Sequence, residues 1–396
     1  MQLHRIKYKD IEEIQPIPSS QNFKQDFFGS APAPFIGQYG YPHINIGILS
    51  PQFSGETEHY DAPRLWSQGK FTIPQITALR YNLVNSKTKW NIKDLNQSNR
   101  FLQIIQEVGM ASKPVDIEIN LKETPKINHN EPEVAPFGPA SQIKRALITA
   151  SPKVNQHVEK CVRDTDLRAA NAITNLYHKG FEENILTKLI SVGNLGLKQN
   201  RKLVPTRWSI TAVDDTIGKN LIQTIKESPF GQYQLFFGNY FGNYYLILAF
   251  PEIWSYELFE TYINKKINPW SKNGYAYSTD YEDYNGRKTY AQECAGGYYA
   301  ARLSILEKLK EQKRQSSILA LRFITDEYTM PLGVWVVREA ARKSFKEKPI
   351  SFSSEQLMLQ YAKELIQRKF NFDLNILLKE SKLLKNKTQQ KKLSQF

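Results

Sequence analysis

Two groups of carboxylates in this chain stand beside basic residues. Asp214 and Asp215 close the stretch Lys202–Asp215, K-L-V-P-T-R-W-S-I-T-A-V-D-D, which also carries Arg207. Asp280, Glu282 and Asp283 lie in Tyr275–Lys288, Y-A-Y-S-T-D-Y-E-D-Y-N-G-R-K, just before Arg287 and Lys288. Carboxylate oxygens hold Mg²⁺ or Mn²⁺ while cations hold phosphate, so this pairing suits metal-assisted phosphoryl chemistry. On that reading Asp214 and Asp215 are the metal ligands, with Glu282 or Asp283 completing the catalytic set. Arg207, Arg287 or Lys288 then clamps a nucleic-acid phosphate, and a metal-bound hydroxide attacks it in line. The plainer reading makes Asp214, Asp215 or Thr216 a helix cap and Tyr275–Lys288 a surface loop of paired charges.

Both readings depend on the elements around these residues. Ser209–Val213 is apolar and β-prone, and a helical period follows at Ile217, Leu221 and Ile225, which predicts a strand entering a helix through an acidic junction. Side chains at strand ends of open sheets face the crevice where ligands bind. Further strands are predicted at His43–Leu49, Val115–Leu121, Tyr244–Phe250 and Ile318–Thr325, and Gln232–Phe250 reads as a hairpin. The Gly-, Pro- and aromatic-rich run Phe28–Pro51 predicts a loop and then a strand; it lacks the G-K-[ST] of a phosphate-cradling Walker loop. Helices are predicted over Asn155–Tyr177, with basic Lys160, Arg163 and Arg168, and over Tyr299–Lys310. Another follows the capping-box spacing Ser353–Gln356, with Leu357, Tyr361 and Leu365 on one face. From Lys379 the chain reads as a flexible basic tail. Its last seven residues set Gln390, Leu393 and Phe396 at positions one, four and seven, an apolar plug with a polar anchor for a groove on a partner. The fold class expected is α/β or α+β: a mixed central sheet flanked by helices, a helical C-terminal region and the basic tail.

Composition narrows the partners. Lys and Arg number 53 against 39 Asp and Glu, a formal charge of +14, which favours a polyanion and most economically nucleic acid. The 21 Tyr, 21 Phe and 6 Trp mark a globular chain with a substantial core. Its two cysteines, Cys161 and Cys294, have no C-x-x-C spacing, which argues against a zinc finger and fits a reducing, cytoplasmic location. No apolar run approaches the roughly eighteen residues of a membrane span, and no membrane partner is expected.

Four stretches resemble the archaeal Nre family of DNA repair proteins: F-G-S-A-P-A-P-F-I-G-Q-Y-G-Y-P-H-I-N-I-G, V-P-T-R-W-S-I-T-A-V-D-D, Y-E-D-Y-N-G-R-K-T-Y-A with G-G-Y-Y-A-A-R-L, and P-L-G-V-W-V-V-R-E. Residues 1–26 read as a polar leader and 379–396 as the tail; between them the resemblance implies an Nre N-terminal region at 27–284 and a C-terminal region at 285–378. It implies a role in DNA damage repair and binding to the sliding clamp, PCNA, through a C-terminal peptide that Gln390, Leu393 and Phe396 match. The cysteine cluster of many family members is absent here, so zinc is not implied; Mg or Mn is the cofactor to consider. A nuclease and a non-catalytic DNA-binding adaptor that brings partners to the clamp both fit these features.

Overall fold

The computed structural model describes residues 23–95, 99–126, 138–263 and 277–393, and the chain divides into two compact units. The first comprises residues 1–216 with 330–332, the second 217–329 with 333–396. The class is α+β, with two six-stranded mixed sheets in place of the single central sheet expected.

In the first unit the strands are β1 (Asp26–Ala31), β2 (Ala33–Ile36), β3 (His43–Ser50), β4 (Val84–Asn91), β5 (Val115–Leu121) and β6 (Ala140–Ile148), in the order β1-β5-β6-β4-β3-β2. Only Pro32 separates β1 from β2, yet they are the two outer strands of that order. Two chain steps reach about 7 Å, whereas the edges of a flat six-stranded sheet stand about 24 Å apart. The sheet therefore curls until its edges approach, and β1 lies beside β3. Alternate residues point inward: Ile44, Ile46 and Ile48 from β3, and Ile117, Ile119 and Leu121 from β5. The helix α3 (Arg100–Met110) adds Leu102, Ile105 and Val108 to this core, and its cap Asn99 accepts bonds from the N–H groups of Phe101 and Leu102. Around it run α1 (Pro63–Gln68), α2 (Ile73–Tyr81), α4 (Gln156–Arg163), α5 (Ala169–His178) and α6 (Glu183–Ser191). The helix expected over Asn155–Tyr177 is thus two, α4 and α5. Between them Asp164 accepts from the N–H groups of Asp166 and Leu167, a local turn that competes with the helical ladder.

The helix α7 (Thr206–Lys226) overturns the strand expected at Ser209–Val213. The helical period at Ile217, Leu221 and Ile225 continues back through Val213 to Ser209 at the same spacing of four, and all five residues are buried. Burying one continuous stripe outweighs the β propensity of a short run. Asp214 and Asp215 consequently sit inside a helix, neither at a strand end nor at a helix start. The boundary between the two units falls within α7, after Thr216.

The second unit contains β7 (Tyr233–Tyr240), β8 (Asn243–Phe250), β9 (Ser255–Tyr262), β10 (Tyr277–Glu282), β11 (Ser317–Ile324) and β12 (Ile350–Phe352), in the order β10-β9-β11-β8-β7-β12. Every residue of β8 and β11 is buried, the mark of strands covered on both faces. On one face α8 (Ala295–Gln312) and α9 (Val334–Ser344) pack together, with Tyr256 of β9 donating its hydroxyl to the Tyr298 carbonyl of α8. On the other, α10 (Glu355–Phe370), α11 (Asn375–Leu378) and α12 (Lys382–Leu393) cover Leu246, Leu248, Leu319 and Leu321. The hairpin β7–β8 turns at Phe241 and Gly242, both at positive φ, as a two-residue hairpin turn requires. The cap of α10 is Ser354, one residue beyond the Ser353 expected, and it accepts from the N–H of Leu357.

The basic stretch expected as a flexible tail is helical instead. Glu257 of β9 accepts from the Ser381 hydroxyl at 2.5 Å and from the N–H groups of Lys382 and Leu383 at 3.0 Å each, capping α12. Lys387 then reaches Glu252 at 3.0 Å and Glu355 at 2.9 Å. Gln390 and Leu393 fall in the backbone of α12, while Phe396 and the 1–22 part of the leader lie outside the described residues.

Candidate nucleic-acid interface

The first two family-like stretches meet in space. Thr206, the first residue of α7, accepts a bond from the Ile36 N–H at 3.0 Å through its hydroxyl, which lies 3.2 Å from that of Ser191 at the end of α6. This pins the end of β2 to the start of α7 and sets Arg207 and Trp208 on the surface. Beyond Ile36 the chain keeps strand pairing for one more step, with the Gly37 N–H bonded to the Asn45 carbonyl. It then turns through Gly40, at φ 84°, where the His43 N–H bonds back to the Gly40 carbonyl.

That turn and the start of α7 together display three large aromatic surfaces. Tyr39 is 80% exposed, Tyr41 48% and Trp208 46%, and the Tyr41 and Trp208 rings stand 5.4 Å apart at 44°. Contiguous exposed aromatics on one surface usually mark a binding site. Arg207 is exposed beside Trp208. On β3 and β4 the inward set runs through Ile44, Ile46, Val84 and Ser86, so His43, Lys87 and Lys89 belong to the outer set. In register, His43 stands opposite Asn91 and Asn45 opposite Lys89. The strand pair thus leads a line of basic side chains toward the aromatic turn. Aromatic faces with flanking cations are what single-stranded nucleic acid requires: a surface for each base and a charge for each phosphate.

Close by in the same unit, Asp61 gathers Arg80 at 2.9 Å, Lys188 at 3.0 Å and the Asn184 amide at 3.1 Å. Burial alone would raise its carboxyl, but the charges of Lys188 and Arg80 overcome this and hold it below the ordinary value. Lys188 also bonds the Pro32 carbonyl, so the cluster anchors the A-P-A-P segment. Beside it, burial lowers His59 to about 4 and raises Tyr60 to about 12, leaving both neutral at pH 7.

The carboxylates read from the sequence are held for other tasks. Glu282 is buried and paired with Arg302 at 2.6 Å, and it accepts from the Trp254 indole at 3.3 Å. Asp280 meets Arg287 at 3.0 Å and takes the Cys294 N–H at 2.8 Å. Arg287 also donates to the carbonyls of Tyr281, Thr289 and Tyr290, so its guanidinium closes its own loop instead of facing a phosphate. Asp283 accepts from the Asn285 N–H in a turn that Gly286 completes at φ 78°, while Lys288 is exposed. Asp214 is fully buried, and Asp215 is partly exposed. Among the described residues no three His, Cys, Asp or Glu side chains come together as a set able to hold a metal ion. Glu282, expected to complete a Mg or Mn set, has Arg302 and the Trp254 indole as its partners instead.

Residues 8–270 match the family described as Archaeal Nre, N-terminal, and residues 282–396 match Archaeal Nre, C-terminal. This chain belongs to the archaeal Nre family. The DNA repair protein NreB of Archaeoglobus fulgidus is 34% identical over 371 residues, 93% of this chain and 91% of that protein. The DNA repair protein NreA of Haloferax volcanii is 35% identical over 326 residues, 80% of this chain and 77% of that protein. No solved structure matches. In this Nre chain the density of aromatics within Phe28–Pro51 signals Tyr39 and Tyr41, whereas nothing local in the sequence pairs Tyr41 with Trp208. Among the described residues no helix is long and apolar enough to cross a membrane.

Proposed function

We propose that this chain is a DNA repair protein that binds DNA and is recruited by the sliding clamp, acting as a DNA-binding adaptor. The observation that carries the reading is the surface of Tyr39, Tyr41 and Trp208 with Arg207, built from two stretches far apart in sequence and held by the Thr206 bond. The charge of +14 agrees with a polyanionic partner. The names of its relatives, DNA repair proteins, support the biological setting. Recruitment rests on Gln390 and Leu393, within α12, and on Phe396. The adaptor reading is favoured over the nuclease because Glu282 is engaged with Arg302 and Asp280 with Arg287.

The test is fluorescence anisotropy with labelled single-stranded DNA across a salt series. Base stacking on an aromatic contributes about 1–3 kcal/mol, so Trp208→Ala should weaken binding by about fivefold to a hundredfold. Arg207→Gln should reduce the slope of log affinity against log salt by about 0.7, one phosphate contact on single-stranded DNA. Unchanged affinity and slope in both folded variants would remove this surface from the function.

A further inference from the structure

The second unit carries a separate cleft. Its volume is about 430 Å³, and it is lined by Phe237, Asn239, Tyr244, Lys343, Lys346 and Lys369, with Glu347 and Gly238 completing the wall. Its position follows from the sheet. The edge strand β12 pairs β7 only across Tyr233–Leu235, so on the side away from β8 the later part of β7 has no strand laid along it among the described residues. At Gly238 a Cβ would stand 2.6 Å from the Ser344 Cα; the glycine thus lets the end of α9 approach this open edge, bringing Lys343 and Lys346 with it. From the opposite layer, α10 delivers Lys369.

Three lysines thus line the cleft with Glu347, while Glu339 offsets part of the charge at Lys343 and Glu327 is engaged by the Tyr244 hydroxyl. Lys343 lies 3.8 Å from the centre of the Tyr240 ring, and Lys369 lies 5.1 Å from that of Tyr244. Burial first, and then the neighbouring charge of Lys346, hold the Lys343 amine below its ordinary value. Amines so placed are repelled by one another and gain from an added anion. Beside them the half-buried Phe237 offers an apolar wall, its ring stacked at 6.0 Å and 27° on Tyr244, whose hydroxyl is fixed by Glu327 at 2.9 Å. A cationic end and an aromatic wall in one cleft match a phosphate and the planar base attached to it.

We propose that this cleft binds a nucleoside phosphate, with Lys343, Lys346 and Lys369 taking the phosphate oxygens and Phe237 meeting the base. The ligand comes either from a single-stranded DNA end or from a free nucleotide. The site lies in the second unit and does not rest on the aromatic turn of the first.

The experiment uses the full chain with a 5′-phosphorylated oligo-dT carrying a photoreactive base, and in parallel with dTMP in a calorimeter. The variant is Lys343→Gln/Lys346→Gln/Lys369→Gln; the charge-matched control replaces the exposed Lys113, Lys310 and Lys313 by Gln. If DNA is the source, the triple variant loses at least tenfold in affinity for the phosphorylated oligonucleotide, the control loses far less, and the cross-link maps to the peptide containing Phe237. If a free nucleotide is the source, dTMP binding saturates in the wild type and the control and disappears in the triple variant. Equal behaviour of variant and control toward both probes overturns the proposal, as does a cross-link confined to the Trp208 peptide. Trp208→Ala, assayed alongside, separates the two sites: its failure bears only on the first unit, and Phe237→Leu should weaken only the contact in the second.

Discussion

Glu257→Gln tests how firmly the C-terminal helix is held. Glu257 is fully buried in β9, and three donors from the start of α12 converge on its carboxylate, the Ser381 hydroxyl and the N–H groups of Lys382 and Leu383, with the Thr279 hydroxyl of β10 more distant at 3.5 Å. A glutamine has nearly the same volume but only one accepting atom. If its oxygen serves Ser381 and Leu383, which share one carboxylate oxygen, its amide must face the Lys382 N–H, donor against donor. One buried donor left without an acceptor costs about 1–3 kcal/mol, and losing a helix cap costs about 0.5–2 kcal/mol. A loss of about 2 kcal/mol corresponds to roughly thirtyfold in the opening equilibrium of α12. Native-state hydrogen exchange on α12 amides reads this directly, with β3 and β5 of the first unit as internal standards. Burial also raises the Glu257 carboxyl above its ordinary value of 4.5, more than its hydrogen bonds and Lys382 lower it. Because the folded value is the higher one, protonation of this carboxyl favours the fold, fully so below 4.5, and that contribution is lost as pH rises through the raised value. The glutamine variant should lack that slope. Unaltered α12 exchange with an unaltered pH slope would refute the capping argument.

Three further outcomes are expected. Arg302→Met leaves Glu282 buried without its cation, a loss of about 3–5 kcal/mol that urea unfolding of the second unit should register. Asp61→Asn should cost about 2 kcal/mol near neutral pH by removing charge-assisted bonds to Arg80 and Lys188. Since the Asp61 carboxyl is held below 3.8, its contribution is present above that value and lost as pH falls through the lower folded one; acid titration followed by near-UV circular dichroism should show a shallower transition in the variant. Leu393→Ala/Phe396→Ala should abolish capture by immobilised sliding clamp while DNA affinity stays unchanged, and retained capture would exclude the C-terminal peptide as the contact.

The family was legible in the chain, since long specific words need no three-dimensional context. So were strands whose neighbours agree with their own pattern. Val115–Leu121 alternates strictly and forms β5 with those limits, because its pleat alone separates a buried face from a wet one. The apolar runs of β8 and β11 were equally readable, being buried on both faces. Ser209–Val213 was not: a run of five residues carries either period, and only the distant stripe through Ile225 decides it. The basic residues after Lys379 suggested solvent by composition. Helix α12 instead folds down because Glu257, far away in sequence, supplies its cap, and Glu252 and Glu355 receive Lys387. The same distinction governs the candidate sites. Residue types named carboxylates and cations as the functional groups, but Arg302 and Arg287 meet Glu282 and Asp280 only through tertiary packing. Tyr41 and Trp208, unremarkable as single aromatics, become one surface because Thr206 joins the end of β2 to the start of α7. Local pattern determines which atoms a chain has to offer; which of them remain open to a ligand is decided by the partners that folding brings to the others.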